Sequence, residues 1–98
     1  MKTQDPSEVR RQMLEALEEQ LLEMGEDPGE IVDATRLHAD LGLSSIEIIH
    51  VMILLEDRLS TPLDFQELAI HDGEYVEDIT VGQLLAFLWK SLGIDASG

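Results

Sequence analysis

Cysteine is absent from the 98 residues, so neither disulfides nor cysteine-based zinc sites can hold the fold, and helix packing has to supply the stability. A reducing cytoplasm suits such a chain. Basic residues are scarce too. Six Lys and Arg stand against 21 Asp and Glu, a formal net charge of -15, and so few cations cannot neutralise a phosphate backbone. Nucleic acid and anionic membrane surfaces are thereby disfavoured as partners. The field instead attracts proteins with basic docking patches and speeds their encounter, an effect that salt weakens; an acidic surface that only confers solubility is the plainer alternative. No run approaches the roughly 20 apolar residues that span a bilayer, and Met1–Pro6 lacks the apolar stretch of a secretory signal. No internal repeat or low-complexity segment interrupts the chain. The expectation is one small, soluble, monomeric domain.

What is present is helical. Asp5-Pro6-Ser7-Glu8 reads as a helix start, with Asp5 as cap, Pro6 at the first helical position and Glu8 completing an aspartate version of the capping box. Val9, Met13, Leu17 and Leu21, with Leu14 beside them, place an apolar face on a helix running to about Met24, before Gly25. Glu15, Glu18, Glu19 and Glu23 mark its wet side. A long acidic connection follows, from Glu26 to Leu43, whose Ile31, Val32, Leu37 and Leu41 suggest packing over the bundle, with a short turn at Asp33–Arg36. The second helix, Ser45 to about Leu59, has apolar residues around most of its circumference: Ile46, Ile48, Ile49, Val51, Met52, Ile53, Leu54 and Leu55. Such a helix is buried on more than one side or exposes apolar surface for a purpose. A short third helix is expected near Asp64–Ala69, with Phe65 and Leu68 closing over the core. Thr80-Val81-Gly82-Gln83 is a capping box opening the last helix, which runs to about Leu92 before Gly93. Val81, Leu84, Leu85, Leu88 and Leu92 form its packing face, leaving at least one of Phe87 and Trp89 partly exposed. Asp95–Gly98 should fray.

The segment Asp40-Leu41-Gly42-Leu43-Ser44-Ser45-Ile46-Glu47 carries the functional signal. Ser44 and Glu47 form a capping box, the Ser44 hydroxyl accepting the Glu47 backbone N–H while the Glu47 side chain accepts the Ser44 N–H. Ser45 is then the first helical residue, with its side chain unspent. The partial positive charge and free N–H donors of a helix start favour a phosphodiester attached there. This segment resembles the carrier protein family, the acyl and peptidyl carriers of fatty acid, polyketide and nonribosomal peptide synthesis, in which the serine of a Leu-Gly-x-Asp-Ser-Leu motif receives 4′-phosphopantetheine from coenzyme A. Ser45 falls on the modified serine and Ile46 replaces the usual leucine. Ser44 stands where acyl carriers usually have the aspartate implicated in transferase recognition near magnesium.

The resemblance implies an all-α four-helix bundle with a short third helix and a long first loop. On that resemblance the chain would hold acyl, aminoacyl or polyketide intermediates as thioesters on an arm at Ser45, and its size and altered motif favour a discrete carrier of a specialised biosynthetic pathway. Its partners would be a phosphopantetheinyl transferase, a loading enzyme, and downstream synthase or tailoring enzymes. Matching positions to the family puts Val51, Met52 and Leu55 on the core side, and Ile46, Ile49 and Ile53 on a stripe offered to partners, flanked by Glu47, Glu56 and Asp57. The alternative is that all the apolar residues are core. The stretch Ile70–Ile79 is longer than the family usually allows; His71–Glu74 reads as a turn, with Tyr75 and Val76 to anchor it.

Two other chemistries fit poorly. A hydrolase would combine Ser45 with His38 or His50 and Asp40, but His50 lies five residues along the same helix and points away, and no nucleophile elbow surrounds the serine. His50 reads as a surface residue of the docking helix. A calcium loop at Asp72 lacks the Asp-x-Asp-x-Asp-Gly spacing. The remaining alternative is an unmodified acidic helical module that docks onto biosynthetic enzymes.

Overall fold

Asp5, in extended backbone, turns the chain into its first helix by accepting the Ser7 N–H at 3.1 Å. The computed structural model describes residues 5–27, 29–71, 74–75 and 78–94. In chain order these form α1 (Pro6–Glu23), α2 (Ser45–Leu59), α3 (Phe65–Ala69), the two-residue strands β1 (Ile70–His71) and β2 (Glu74–Tyr75), and α4 (Val81–Ser91). The architecture is helical: α1 packs against both α2 and α4, and the strands are one short antiparallel pairing, Ile70 with Tyr75 and His71 with Glu74.

Local chemistry accounts for the helix ends. The expected Asp5–Glu8 capping box at α1 is not made: Asp5 accepts the Ser7 N–H in its place, and the Glu8 carboxylate is taken by Arg11 and Gln12, one turn ahead on the same face. At the other end Gly25 has a φ of 79°, and the N–H groups of Gly25 and Glu26 donate to Leu22 and Leu21 carbonyls in a Schellman motif. Gly93 ends α4 in the same way, with Ile94 N–H donating to the Trp89 carbonyl at 2.8 Å. Ser60 closes α2 in the left-handed region, at a φ of 52°.

The core is assembled from one face of each long helix: Val9, Met13, Leu17 and Leu21 of α1; Val51, Met52, Leu55 and Leu59 of α2; and Val81, Leu84, Leu85 and Leu88 of α4, all buried. Phe87 joins it, while Trp89 stays half-buried with its indole N–H donating to the Pro6 carbonyl at 3.2 Å. Leu68 packs against the core from α3. Arg58 ties α2 to α1 by ion pairs to Glu15 at 3.0 Å and Glu19 at 3.1 Å.

The first connection packs over the bundle through Leu37 and Leu43, both buried, with Ile31 and Leu41 partly so. Val32, expected to join them, is exposed; its N–H donates to Thr35 Oγ1 at 3.0 Å in the turn that reverses the chain. The connection then pairs with the lead-in to α4. An antiparallel bridge joins Arg36 to Thr80, Leu37 N–H donates to the Ile79 carbonyl at 2.9 Å, and Val81 N–H to the Thr35 carbonyl at 2.8 Å. The turn at Asp72–Gly73, Val76, the tail Asp95–Gly98 and the side chains of Phe65 and Tyr75 lie outside the described residues.

Candidate functional site

Two capping boxes occur among the described residues, and the difference between them defines the site. At α4, Thr80 Oγ1 accepts the Gln83 N–H at 3.1 Å and Gln83 Oε1 accepts the Thr80 N–H at 2.8 Å. The two N–H groups in between are also consumed: Val81 donates to Thr35 and Gly82 to the Asp33 carbonyl at 2.9 Å. At α2, Ser44 Oγ accepts the Glu47 N–H at 3.3 Å and Glu47 Oε1 accepts the Ser44 N–H at 2.8 Å. Here the connection closes nothing further. The Ser45 and Ile46 N–H groups belong to the first turn, have no carbonyl inside the helix, and meet no acceptor among the described residues. Ser45 is exposed beside them.

The surface running down α2 from Ser45 is apolar. Ile46 is 79% exposed, Ile49 41% and Ile53 55%, whereas Val51, Met52 and Leu55 are buried. The three isoleucines follow i, i+3 and i+7 spacing, which places them in one row along the helix. Asp57 is exposed at the far end of the helix. Glu56 is half-buried, and its carboxylate accepts the Leu63 N–H at 2.8 Å, holding the turn after α2. Glu47 is likewise committed to the cap.

His50 lies at the α1 edge of this surface. It is half-buried and its Nδ1 pairs with the side-chain oxygen of Gln20, which α1 buries. Position 50, four residues after Ile46 and three before Ile53, borders that row on its α1 side, and Gln20 supplies the polar partner that partial burial demands. His38 Nδ1 bonds the Leu43 carbonyl at 2.8 Å, and Asp40 is held by Arg36, whose N–H it accepts at 2.8 Å. Ser45, His38 and Asp40 are therefore not bonded to one another as a relay.

The described basic side chains are spent within the chain. Arg10, Arg11, Arg36, Arg58 and Lys90 each pair with a carboxylate of the same chain. The Arg36 backbone N–H, and then its guanidinium, hold the Asp40 carboxyl below its ordinary range. Among the described residues no helix is long and apolar enough to cross a membrane.

A residue that sequence reading missed is Asp78. Its Oδ1 accepts the N–H groups of His38 at 2.9 Å and of Ile79 at 2.9 Å, and its Oδ2 accepts the Ala39 N–H at 3.0 Å. One carboxylate thus caps the turn that leads into the Ser44 box. No local signal announces it, because the partners are 40 residues apart. Comparison of the chain with protein-family models, with curated proteins and with solved structures gave no match.

Proposed function

We propose that this protein is a carrier of the acyl and peptidyl carrier type, a cytoplasmic protein of a specialised pathway that bears 4′-phosphopantetheine on Ser45. The observation that carries this reading is the open start of α2: an exposed serine next to two backbone N–H groups that no acceptor among the described residues takes, beside a cap that Ser44 and Glu47 complete without Ser45. Those donors suit a phosphodiester, which needs hydrogen bonds and positive potential in a surface that is otherwise acidic. In loading, Ser45 Oγ forms the new bond to the phosphorus of the pantetheine arm, adenosine 3′,5′-bisphosphate leaves, and the hydroxyl proton passes to a base of the transferase. The thiol of the arm supplies the thioester chemistry for acyl, aminoacyl or polyketide cargo. The chain's own work is to hold the attachment point in solvent, orient it by the helix, and present a surface. That surface is Ile46, Ile49 and Ile53 with Glu47, Glu56 and Asp57, and it suits a transferase, a loading enzyme and downstream enzymes with basic docking patches.

Incubation with coenzyme A, magnesium and a promiscuous phosphopantetheinyl transferase, followed by intact mass, tests the reading. One phosphopantetheine adduct is expected on the wild-type protein, lost in Ser45→Ala and retained in Ser44→Ala. The reverse pattern makes Ser44 the attachment point. No adduct on the wild-type protein leaves the second reading, an unmodified module that docks through the exposed isoleucine row.

A further inference from the structure

His38 is placed where it can do more than fill a loop. We infer that His38, fixed by Asp78, is a positioning residue that sets the Leu43–Ser44 peptide and through it the presentation of Ser45; this rests on the reading of Ser45 as the attachment point. The connection between them is continuous. Asp78 grips the backbone N–H groups of His38 and Ala39, at 2.9 and 3.0 Å. That leaves the His38 ring over the end of the connection, where Nδ1 lies 2.8 Å from the Leu43 carbonyl oxygen. A carbonyl only accepts, so Nδ1 carries the proton. The Leu43 N–H donates to the Leu37 carbonyl at 3.0 Å, and the Leu37 N–H to Ile79 at 2.9 Å. Leu43 is thus held at its N–H by the backbone, at its side chain by the core, and at its carbonyl by His38. The same peptide unit carries the Ser44 N–H, which the Glu47 carboxylate accepts at 2.8 Å to begin the cap.

The direction of control follows from what else touches this peptide. Gly42, just before it, has a φ of 74° and open space around its α-carbon, so the backbone there is steered by its hydrogen bonds and not by packing. Without the ring, the Leu43 carbonyl keeps no side-chain partner and the Leu43–Ser44 plane is held at one edge only, by the Ser44 N–H bond to Glu47. The Ser44–Glu47 box then closes less often. Ser45 stays exposed in either case, so the effect falls on how often the hydroxyl is presented in the loading geometry, not on whether it can be reached.

The test compares His38→Ala, His38→Asn and His38→Gln. The Asn side-chain N–H lies close to the Nδ1 position, while that of Gln reaches the Nε2 position, so only Asn restores the bond. Two measurements are made on the full chain: kcat/KM for phosphopantetheine transfer, and amide hydrogen exchange at Ser44–Glu47, with melting temperature alongside. Loss of one net hydrogen bond predicts a fall in kcat/KM of about fivefold in the Ala and Gln variants, with about fivefold faster exchange at the Glu47 N–H and near wild-type behaviour in the Asn variant. Equal loading and exchange in the wild-type, Ala and Asn forms overturn the inference. So does an equal loss in all three variants, which would make the imidazole itself the requirement. If the wild-type protein takes no adduct, the attachment reading falls. Exchange then decides the positioning role alone, and unchanged protection at Glu47 in His38→Ala overturns it.

Discussion

At the scale of single residues, two adjacent serines have separate physical duties. Ser44 accepts the Glu47 N–H and sits in the extended backbone of a cap, so its hydroxyl is structural. Ser45 is exposed and its removal uncovers nothing. Ser44→Ala should therefore lower the free energy of unfolding by about 0.5–2 kcal/mol, read from the midpoint of urea denaturation. Ser45→Ala should stay within about 0.5 kcal/mol of wild type. A larger loss from Ser45→Ala would mean that its hydroxyl, too, belongs to the cap. His50 adds a second lesson at this scale. Its ring faces Gln20 of α1, which ties the edge of the outer row of α2 to the packing of the bundle.

At the scale of elements, α2 divides its apolar residues between two tasks. Val51, Met52, Leu55 and Leu59 are enclosed by the neighbouring helices, and Ile46, Ile49 and Ile53 are not. Truncating a fully buried leucine removes its transfer energy and leaves a cavity, so Leu55→Ala should cost about 2–5 kcal/mol. Ile53 is 55% exposed, and Ile53→Ala should change stability by no more than about 0.5 kcal/mol in the same denaturation measurement. If the outer row docks partners, Ile53→Ala and Ile49→Ala should instead slow enzymes that act on the loaded protein. Comparable stability losses at Leu55 and Ile53 would return Ile53 to the core. α4 is the better closed helix, because Thr35 and Asp33 take the N–H groups that α2 leaves open.

At the scale of the whole molecule, Asp78 joins the first connection to the α4 lead-in and gives the fold a pH dependence. Partial burial works to raise its carboxyl, but the N–H groups of His38, Ala39 and Ile79 outweigh that and hold it below the ordinary carboxylate range. A group depressed in the folded state contributes stability that is complete above the unfolded value. It is lost as the pH falls through the folded one, where the unfolded chain binds the extra proton. Asp78→Asn sets an amide N–H against the Ala39 N–H and should cost about 1–2 kcal/mol at neutral pH. The gap in melting temperature between wild type and Asp78→Asn should narrow as the pH is lowered from about 6 to below the carboxylate range near about 3.5. A gap that stays constant through that window would show that the carboxylate charge does not hold the turn.

The sequence by itself determined where helices start and stop, since Ser44, Thr80, Gly25 and Gly93 act on backbone groups no more than five residues away. It also isolated Ser45 beside a completed cap, for the same reason of short range. It could not choose between the two fates of the α2 isoleucines, because apolar residues all round a helix have no preferred face until α1 and α4 cover one. The partial burial of His50 and the exposure of Val32 were decided by neighbours that arrive only on folding. Asp78 and His38 are the furthest case. Forty residues separate them, and no periodicity or motif encodes a contact made through the backbone of a loop. Only the tertiary structure, by laying the α4 lead-in against the first connection, could bring that carboxylate to the turn before Ser45.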